Sequence, residues 1–436
     1  MNHDTTDTDS NDLDRADVTI GMREVWGGHH PFGLSAAERR QHVYCVGKTG
    51  TGKTTLLRNM ILQDIETGRG VGVIDPHGDL AEELLECFPT WRADHLAYFN
   101  PSDLEHPFSF NLLAEVNADA RHRVASGVVA AFKSIWRDSW GPRLEYVLFC
   151  TVAALLECRN VSLLGAQRML VDEQYREWIV RQVSDPIVRS FWAGEFANWD
   201  DRFRAEVVAP VQNKLGALLT AAPVRNVLGQ VRNRFDARFV MDNGRVFIAN
   251  LSRGRLGEDK ANLLGALLVA QFYLAAMGRA DVSKNLRRDF TLVCDEFPGY
   301  ATDTIGSILS QSRKYALNLV LVNQYLDQLD DVVRSAVFGN CGTLISYRVG
   351  ESDAAMLSRE FGDVYPAARF TESENYEVLV KTVTGATFSG TVDPPAGLPH
   401  ARQERLIQRN RQRYAAPRAV VEAKIARWLS ASIERM

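Results

Sequence analysis

The chain has no Cys-x-x-Cys pair. Its six cysteines (Cys45, Cys87, Cys150, Cys158, Cys294 and Cys341) are scattered. That excludes a spacing-defined zinc site or a disulfide framework and reads as small core hydrophobes in a reducing, cytoplasmic setting. A secretory leader is not visible. The most apolar stretch, Leu263 to Met277, is interrupted by Gln271; it is too short to span a bilayer and is expected to be a buried helix. Internal repeats are missing too, which excludes solenoids and arrays. A net charge of −4 argues neither for nor against nucleic acid as a whole-chain average.

What the chain does have is apolar residues for a packed interior, 46% against 24% charged, over 436 residues, enough for one large domain or about two or three ordinary ones. The charge is unevenly placed. Residues 1–20 hold six Asp against one Arg and are expected to be a disordered acidic tail. Residues 401–436 hold eight Arg and one Lys against three Glu, which reads equally as a solvated helical face or as a nucleic-acid surface.

Short apolar, β-branched runs alternate with helical segments, the pattern of a mostly parallel sheet covered on both faces. Strands are expected at His42–Val46, Val71–Asp75, His95–Phe99, Arg245–Leu251, Phe290–Asp295, Leu319–Asn323 and Thr343–Val349. Between about Asp119 and Arg232 the strand signal disappears and the sequence turns helix-like and mildly basic. The expected division is therefore a tail over 1–20, an α/β domain split into 21–118 and 233–400, an all-α domain inserted at 119–232, and a basic helical segment over 401–436.

The run from Gly47 to Thr55, Gly-Lys-Thr-Gly-Thr-Gly-Lys-Thr-Thr, follows an apolar strand and opens a helix. It matches the pattern of a phosphate-binding P-loop in full. Gly47, Gly50 and Gly52 let the backbone turn its N–H groups, including those of Lys48, Thr49 and Thr51, toward phosphates at the positive end of the helix. Lys53 adds a charge for the β- and γ-phosphates, Thr54 a hydroxyl for magnesium, and Thr55 a contact to the α-phosphate. These features call for ATP and Mg2+.

Asp295 ends a buried apolar strand, where an unpaired carboxylate would be costly, and magnesium is its natural partner. Glu296 beside it is placed to polarise an attacking water. Gln324, ending the strand Leu319–Asn323, is a candidate γ-phosphate sensor. Arg313, followed by Lys314, flanks an apolar stripe of Ile305, Ile308 and Leu309 and is a candidate arginine finger acting in trans. Arg348 is a second candidate finger. Asp75 is open to two readings, a magnesium-shell ligand or a cap on the next helix; His77 reads as structural.

Taken together, His42–Asp64, Val73–Leu80, Phe290–Phe297, Ser312–Leu326 and Phe338–Gly350 resemble the HerA–FtsK superfamily of P-loop motors, and within it the coupling ATPases of type IV secretion and conjugation. Ser134–Leu148, Phe191–Phe196 and Pro210–Leu218 resemble the all-α domain of those ATPases. The resemblance implies a RecA-like core, nucleotide sites between the subunits of a hexameric ring, DNA passing through its centre, and protein partners of the secretion or relaxosome type. It places the family's P-loop lysine on Lys53, its acidic pair on Asp295 and Glu296, its glutamine sensor on Gln324 and its inter-subunit arginine on Arg313. The chain departs from the family in lacking N-terminal transmembrane helices, and from HerA proteins in lacking room for an N-terminal β-barrel. The expectation is a soluble, trimmed coupling-type ATPase.

Other classes fit less well. A GTPase needs Asn-Lys-x-Asp, but Asn213-Lys214 is followed by Leu215-Gly216. Leu251-Ser252-Arg253-Gly254 is a poor copy of an ABC signature. A protein-translocating or assembly ATPase and a nucleotide-switched adaptor with little turnover stay open, and Glu296 speaks against the adaptor.

Overall fold

In a computed structural model that describes residues 16–395, 397, 399 and 402–431, one sheet of eleven strands runs through the molecule. The strands are β1 (Val18–Val25), β2 (Gly28–Leu34), β3 (Val43–Val46), β4 (Gly70–Asp75), β5 (Leu96–Phe99), β6 (Val246–Asn250), β7 (Phe290–Cys294), β8 (Leu317–Asn323), β9 (Thr343–Ser346), β10 (Glu377–Lys381) and β11 (Thr387–Val392). Their order across the sheet is β2-β1-β11-β10-β9-β3-β8-β7-β4-β6-β5. The block from β9 to β5 is parallel throughout. It comprises the seven strands expected from the sequence, and the α/β fold with helices on both faces is as expected. The other four strands are antiparallel and were not anticipated. β1, β2 and β11 carry glycines or polar residues on half-solvated positions, so they lack the continuous apolar run that reveals a central parallel strand.

The two-residue period of the strands divides the core. Val43, Cys45, Val293, Val320 and Val322 face one side. The helices Lys53–Glu66 and Asp79–Glu86 cover that side with Leu56, Leu57, Ile61, Leu80 and Leu84. Tyr44, Val46, Leu292, Cys294, Leu319 and Leu321 face the other, under the helices Glu258–Gly278 and Ile305–Gln311. The helical stretch between β5 and β6, from Ala118–Ile135 to Ala222–Leu228, shares this second core without a break. Asp172, Asp185, Asp200, Asp236 and Asp330 each open a helix by accepting backbone N–H bonds, the role short acidic side chains fill best. All six cysteines are buried and free.

Three expectations need correcting or bounding. Residues 1–15 of the expected acidic tail lie outside the described residues, but Val18, Thr19 and Ile20 belong to β1, with Val18 and Ile20 fully buried. Among the described residues one helix, Glu258–Asp281, is long and apolar enough to cross a membrane, so the stretch around Leu263–Met277 is longer than expected. Its Leu263, Leu264, Leu267, Leu268 and Phe272 are buried in the sheet core. Half of the eight described basic residues of the C-terminal segment are paired within the chain. Arg409 and Arg413 pair with Asp94, Arg411 with Asp103, and Arg418 with Glu105 and Glu422. Its helix Gln403–Tyr414 closes the free edge of β5, where the Asn410 amide accepts from Tyr98 N at 2.7 Å and donates to Tyr98 O at 2.6 Å.

Candidate nucleotide site

The P-loop leaves β3 at Gly47 and returns into the helix Lys53–Glu66. Gly52 opens that helix at φ 115°, a conformation for glycine. A Cβ on it would also lie 2.8 Å from the ring of Tyr376. Three neighbouring elements hold the loop. Gly47 N donates to Asn323 O of β8 at 3.3 Å, Lys48 N to Arg348 O beyond β9 at 2.9 Å, and Tyr376 N to Thr51 O at 2.8 Å. The Tyr347 hydroxyl donates to Gly52 O at 3.1 Å, and the Thr51 hydroxyl closes the loop onto Lys48 O at 2.8 Å. Lys53 is buried, with its ammonium on Lys48 O at 3.0 Å and on Gly47 O. Thr54 is exposed and Thr55 half-buried. Loop carbonyls therefore park the lysine where a phosphate would take over its N–H bonds.

The strand order assembles the rest. β8 lies between β3 and β7, so Gln324 emerges between the P-loop and the acidic pair. Asp295 follows β7, anchored by its N–H to Ile74 O at 3.1 Å, and is 7% exposed. Burial raises its pKa to about 7, aided by the carboxylates of Asp75 and Glu296 and opposed by Lys53. One of its oxygens accepts Glu296 N at 3.1 Å. Glu296 is 6% exposed and sits in left-handed backbone, φ 46° and ψ 44°. Such a conformation costs a non-glycine residue about 1–3 kcal/mol and gathers at functional sites. Its carboxylate and the Gln324 carboxamide make no hydrogen bond among the described residues. The loop carrying Gln324 is fixed instead by the Gln328 carboxamide, which accepts from Gln324 N at 2.9 Å, and by Asp353, which accepts from Leu326 N at 3.0 Å.

Asp75 is fully buried, and its two oxygens accept His77 N at 2.8 Å and Ala81 N at 2.9 Å. The capping reading holds for it. Arg313 falls in the turn Ser312–Tyr315, just before β8 begins. It is exposed, beside His42 at the start of β3, and the length of β8, about 20 Å, separates it from its own chain's P-loop. Arg348 is next to its own P-loop, with its guanidinium turned to Asn375 Oδ1 at 3.0 Å and Ser373 O at 3.4 Å. The sequence reading missed Tyr347, Tyr376, Gln328 and Asp353. Tyr347 lies inside the Phe338–Gly350 segment but carries no polar pattern that marks it, and Tyr376, Gln328 and Asp353 lie outside every segment singled out above.

A magnesium ion fits these residues. Asp295 is a buried carboxylate pressed by those of Asp75 and Glu296, with a single hydrogen-bond donor among the described residues. A single such carboxylate suits an ion that takes most of its ligands from phosphates and water; the described residues hold no group of three or more His, Cys, Asp or Glu placed to bind a metal.

A P-loop separated from an acidic strand end by one further parallel strand, with a glutamine at the end of that strand, defines a P-loop NTPase. More narrowly, the chain belongs to the type IV secretion-system coupling protein DNA-binding domain family, whose model matches residues 31–364, within the HerA–FtsK superfamily. Among solved structures it is similar to the bacterial conjugative coupling protein TrwBdeltaN70, at 15% identity and TM-score 0.62 over 87% of this chain and 89% of that one. It is similar to the plasmid coupling protein TrwB in complex with ADP and Mg2+, at 16% identity and TM-score 0.61 over 85% and 90%. VirB4 of Thermoanaerobacter pseudethanolicus follows, at 12% identity and TM-score 0.55 over 89% and 98%. No curated protein matches the chain by sequence.

Proposed function

We propose that this chain is a magnesium-dependent ATPase that moves DNA through a ring of its own copies, as a coupling motor of a secretion or conjugation system. The observation that carries the hydrolytic reading is Glu296, a buried carboxylate in strained backbone with no donor among the described residues, beside Asp295 and one strand away from the P-loop. A nucleotide switch has little need of such a group. TrwB has been solved with non-hydrolysable GTP and ATP analogues as well as with ADP and Mg2+, which supports a triphosphate and that metal here.

In this reading the N–H groups from Lys48 to Thr55 bind the phosphates, and Lys53 leaves the carbonyls of Gly47 and Lys48 to meet the β- and γ-phosphates. Thr54 and Asp295 would hold magnesium, which when bound neutralises phosphate charge. Glu296 accepts the proton of the attacking water and Gln324 orients that water. Arg313, remote from its own chain's P-loop, serves the site of a neighbouring copy. DNA would be gripped through its backbone by the helical stretch. There Arg123, Arg159, Arg189 and Arg202 are exposed and make no ion pair among the described residues.

The test is the ATPase rate with and without single- and double-stranded DNA. DNA should raise the rate, and binding should weaken by orders of magnitude as salt rises from about 50 to 200 mM. If DNA neither binds at low salt nor alters the rate, the protein-translocating or adaptor reading takes its place.

A further inference from the structure

We propose that Tyr376 is the platform for the nucleotide's base. This rests on the P-loop reading of the site and names a contact that its motifs leave open. Tyr376 is 43% exposed, although its side chain is large and mostly apolar. Among the described residues its hydroxyl has no hydrogen bond and its ring no aromatic or cationic partner. The ring edge instead lies against Gly52, close enough that a Cβ there would sit 2.8 Å from Tyr376 Cδ1.

Backbone conformation points the same way. Tyr376 has φ 68°, in the left-handed region where Gly or Asn is the inexpensive choice and a bulky side chain is an outlier. Two hydrogen bonds hold it there: its N–H on Thr51 O at 2.8 Å, and its carbonyl accepting Val392 N at 2.8 Å. The first ties it to the P-loop and the second to the end of β11, so the strained residue moves with the phosphate cradle. Tyr347, fully buried and bonded to Gly52 O, flanks the same glycine as the second aromatic contact that a Cβ there would meet, at 3.2 Å. An exposed aromatic face fixed at the rim of a phosphate site suits the flat base of the same nucleotide, because every base presents a π-face. Stacking reads no base edge, so Tyr376 contributes affinity for purine nucleotides without choosing adenine over guanine.

The experiment compares wild type, Tyr376→Ala and Tyr376→Phe in magnesium buffer, with ATP, GTP and inorganic tripolyphosphate as ligands. In Tyr376→Ala, ATP and GTP affinity should both fall on the order of ten-fold, the worth of stacking one base, while tripolyphosphate affinity stays at the wild-type value. Tyr376→Phe should match wild type for all three. Unchanged ATP binding in Tyr376→Ala overturns the proposal. An equal loss of ATP and tripolyphosphate overturns it too, since Tyr376 would then only shape the loop. If wild type binds neither ATP nor tripolyphosphate, the P-loop reading fails and the platform falls with it.

Discussion

Asp75 and Asp295 stand at the ends of neighbouring parallel strands, β4 and β7, and the first carboxylate helps raise the pKa of the second. Their surroundings assign them different tasks. Asp75 spends both oxygens on backbone N–H groups, whereas among the described residues the Asp295 carboxylate accepts only Glu296 N. Asp75→Ala should therefore cost stability, about 1–2 kcal/mol for a lost helix cap. Asp295→Ala removes a buried carboxylate repelled by two others and should leave stability unchanged or higher, while magnesium-dependent turnover disappears. Urea melts beside magnesium titrations of turnover separate the two outcomes.

Lys53→Ala should weaken nucleotide binding at least ten-fold, because the ammonium faces phosphate once it leaves Gly47 O and Lys48 O. Equilibrium binding of a labelled nucleotide reads this directly. Wild-type affinity and turnover in that variant would remove Lys53 from the site.

Glu296→Gln keeps shape and loses the proton acceptor. It should bind ATP as wild type does and turn over about 10²–10⁴-fold more slowly. Affinity and turnover measured side by side make the distinction. If both fall equally, Glu296 holds the fold or the metal instead.

Mixed rings test Arg313. Neither Arg313→Ala nor Lys53→Ala subunits alone should hydrolyse ATP well, but mixtures should regain activity where an intact finger meets an intact P-loop. Rates across mixing ratios, with mixed assembly confirmed, give the answer. No recovery at any ratio would count against a shared site.

His42 gives stability a pH dependence. Its Nδ1 accepts Leu319 N at 3.0 Å and its Nε2 donates to Leu309 O at 2.8 Å, so the ring is neutral, and burial lowers its pKa to about 4 from an ordinary 6.5. A depressed folded-state pKa means the stabilisation is complete above pH 6.5 and is lost as pH falls toward 4, reaching about 3 kcal/mol. Urea melts of wild type and His42→Asn between pH 7.5 and 4 should show a slope in the first that is shallower in the second; asparagine also tolerates the left-handed backbone at this position, φ 63°.

The amino-acid sequence by itself determined the parallel strands and the chemical candidates. Val43–Val46, Phe290–Cys294 and Leu317–Asn323 are near-continuous apolar runs, because strands covered on both faces have no polar face to show. The P-loop was legible because phosphate binding demands glycines and a lysine at fixed spacing within one short segment. Tertiary structure alone decided which strand lies beside which. Placing β8 between β3 and β7 brings Gln324 to the acidic pair, and it sends Arg313 to the far end of the sheet. The same holds for the four antiparallel strands, half-solvated and broken by glycine, and for Asp75, whose two readings differ only in what its oxygens touch. Tyr376 was invisible for the same reason. Nothing in its local sequence marks it, and it gains a role only because β10 and β11 add to β9 and carry the preceding turn onto Gly52. Local spacing writes chemistry into a sequence, whereas contacts between segments hundreds of residues apart depend on the order in which the sheet is assembled.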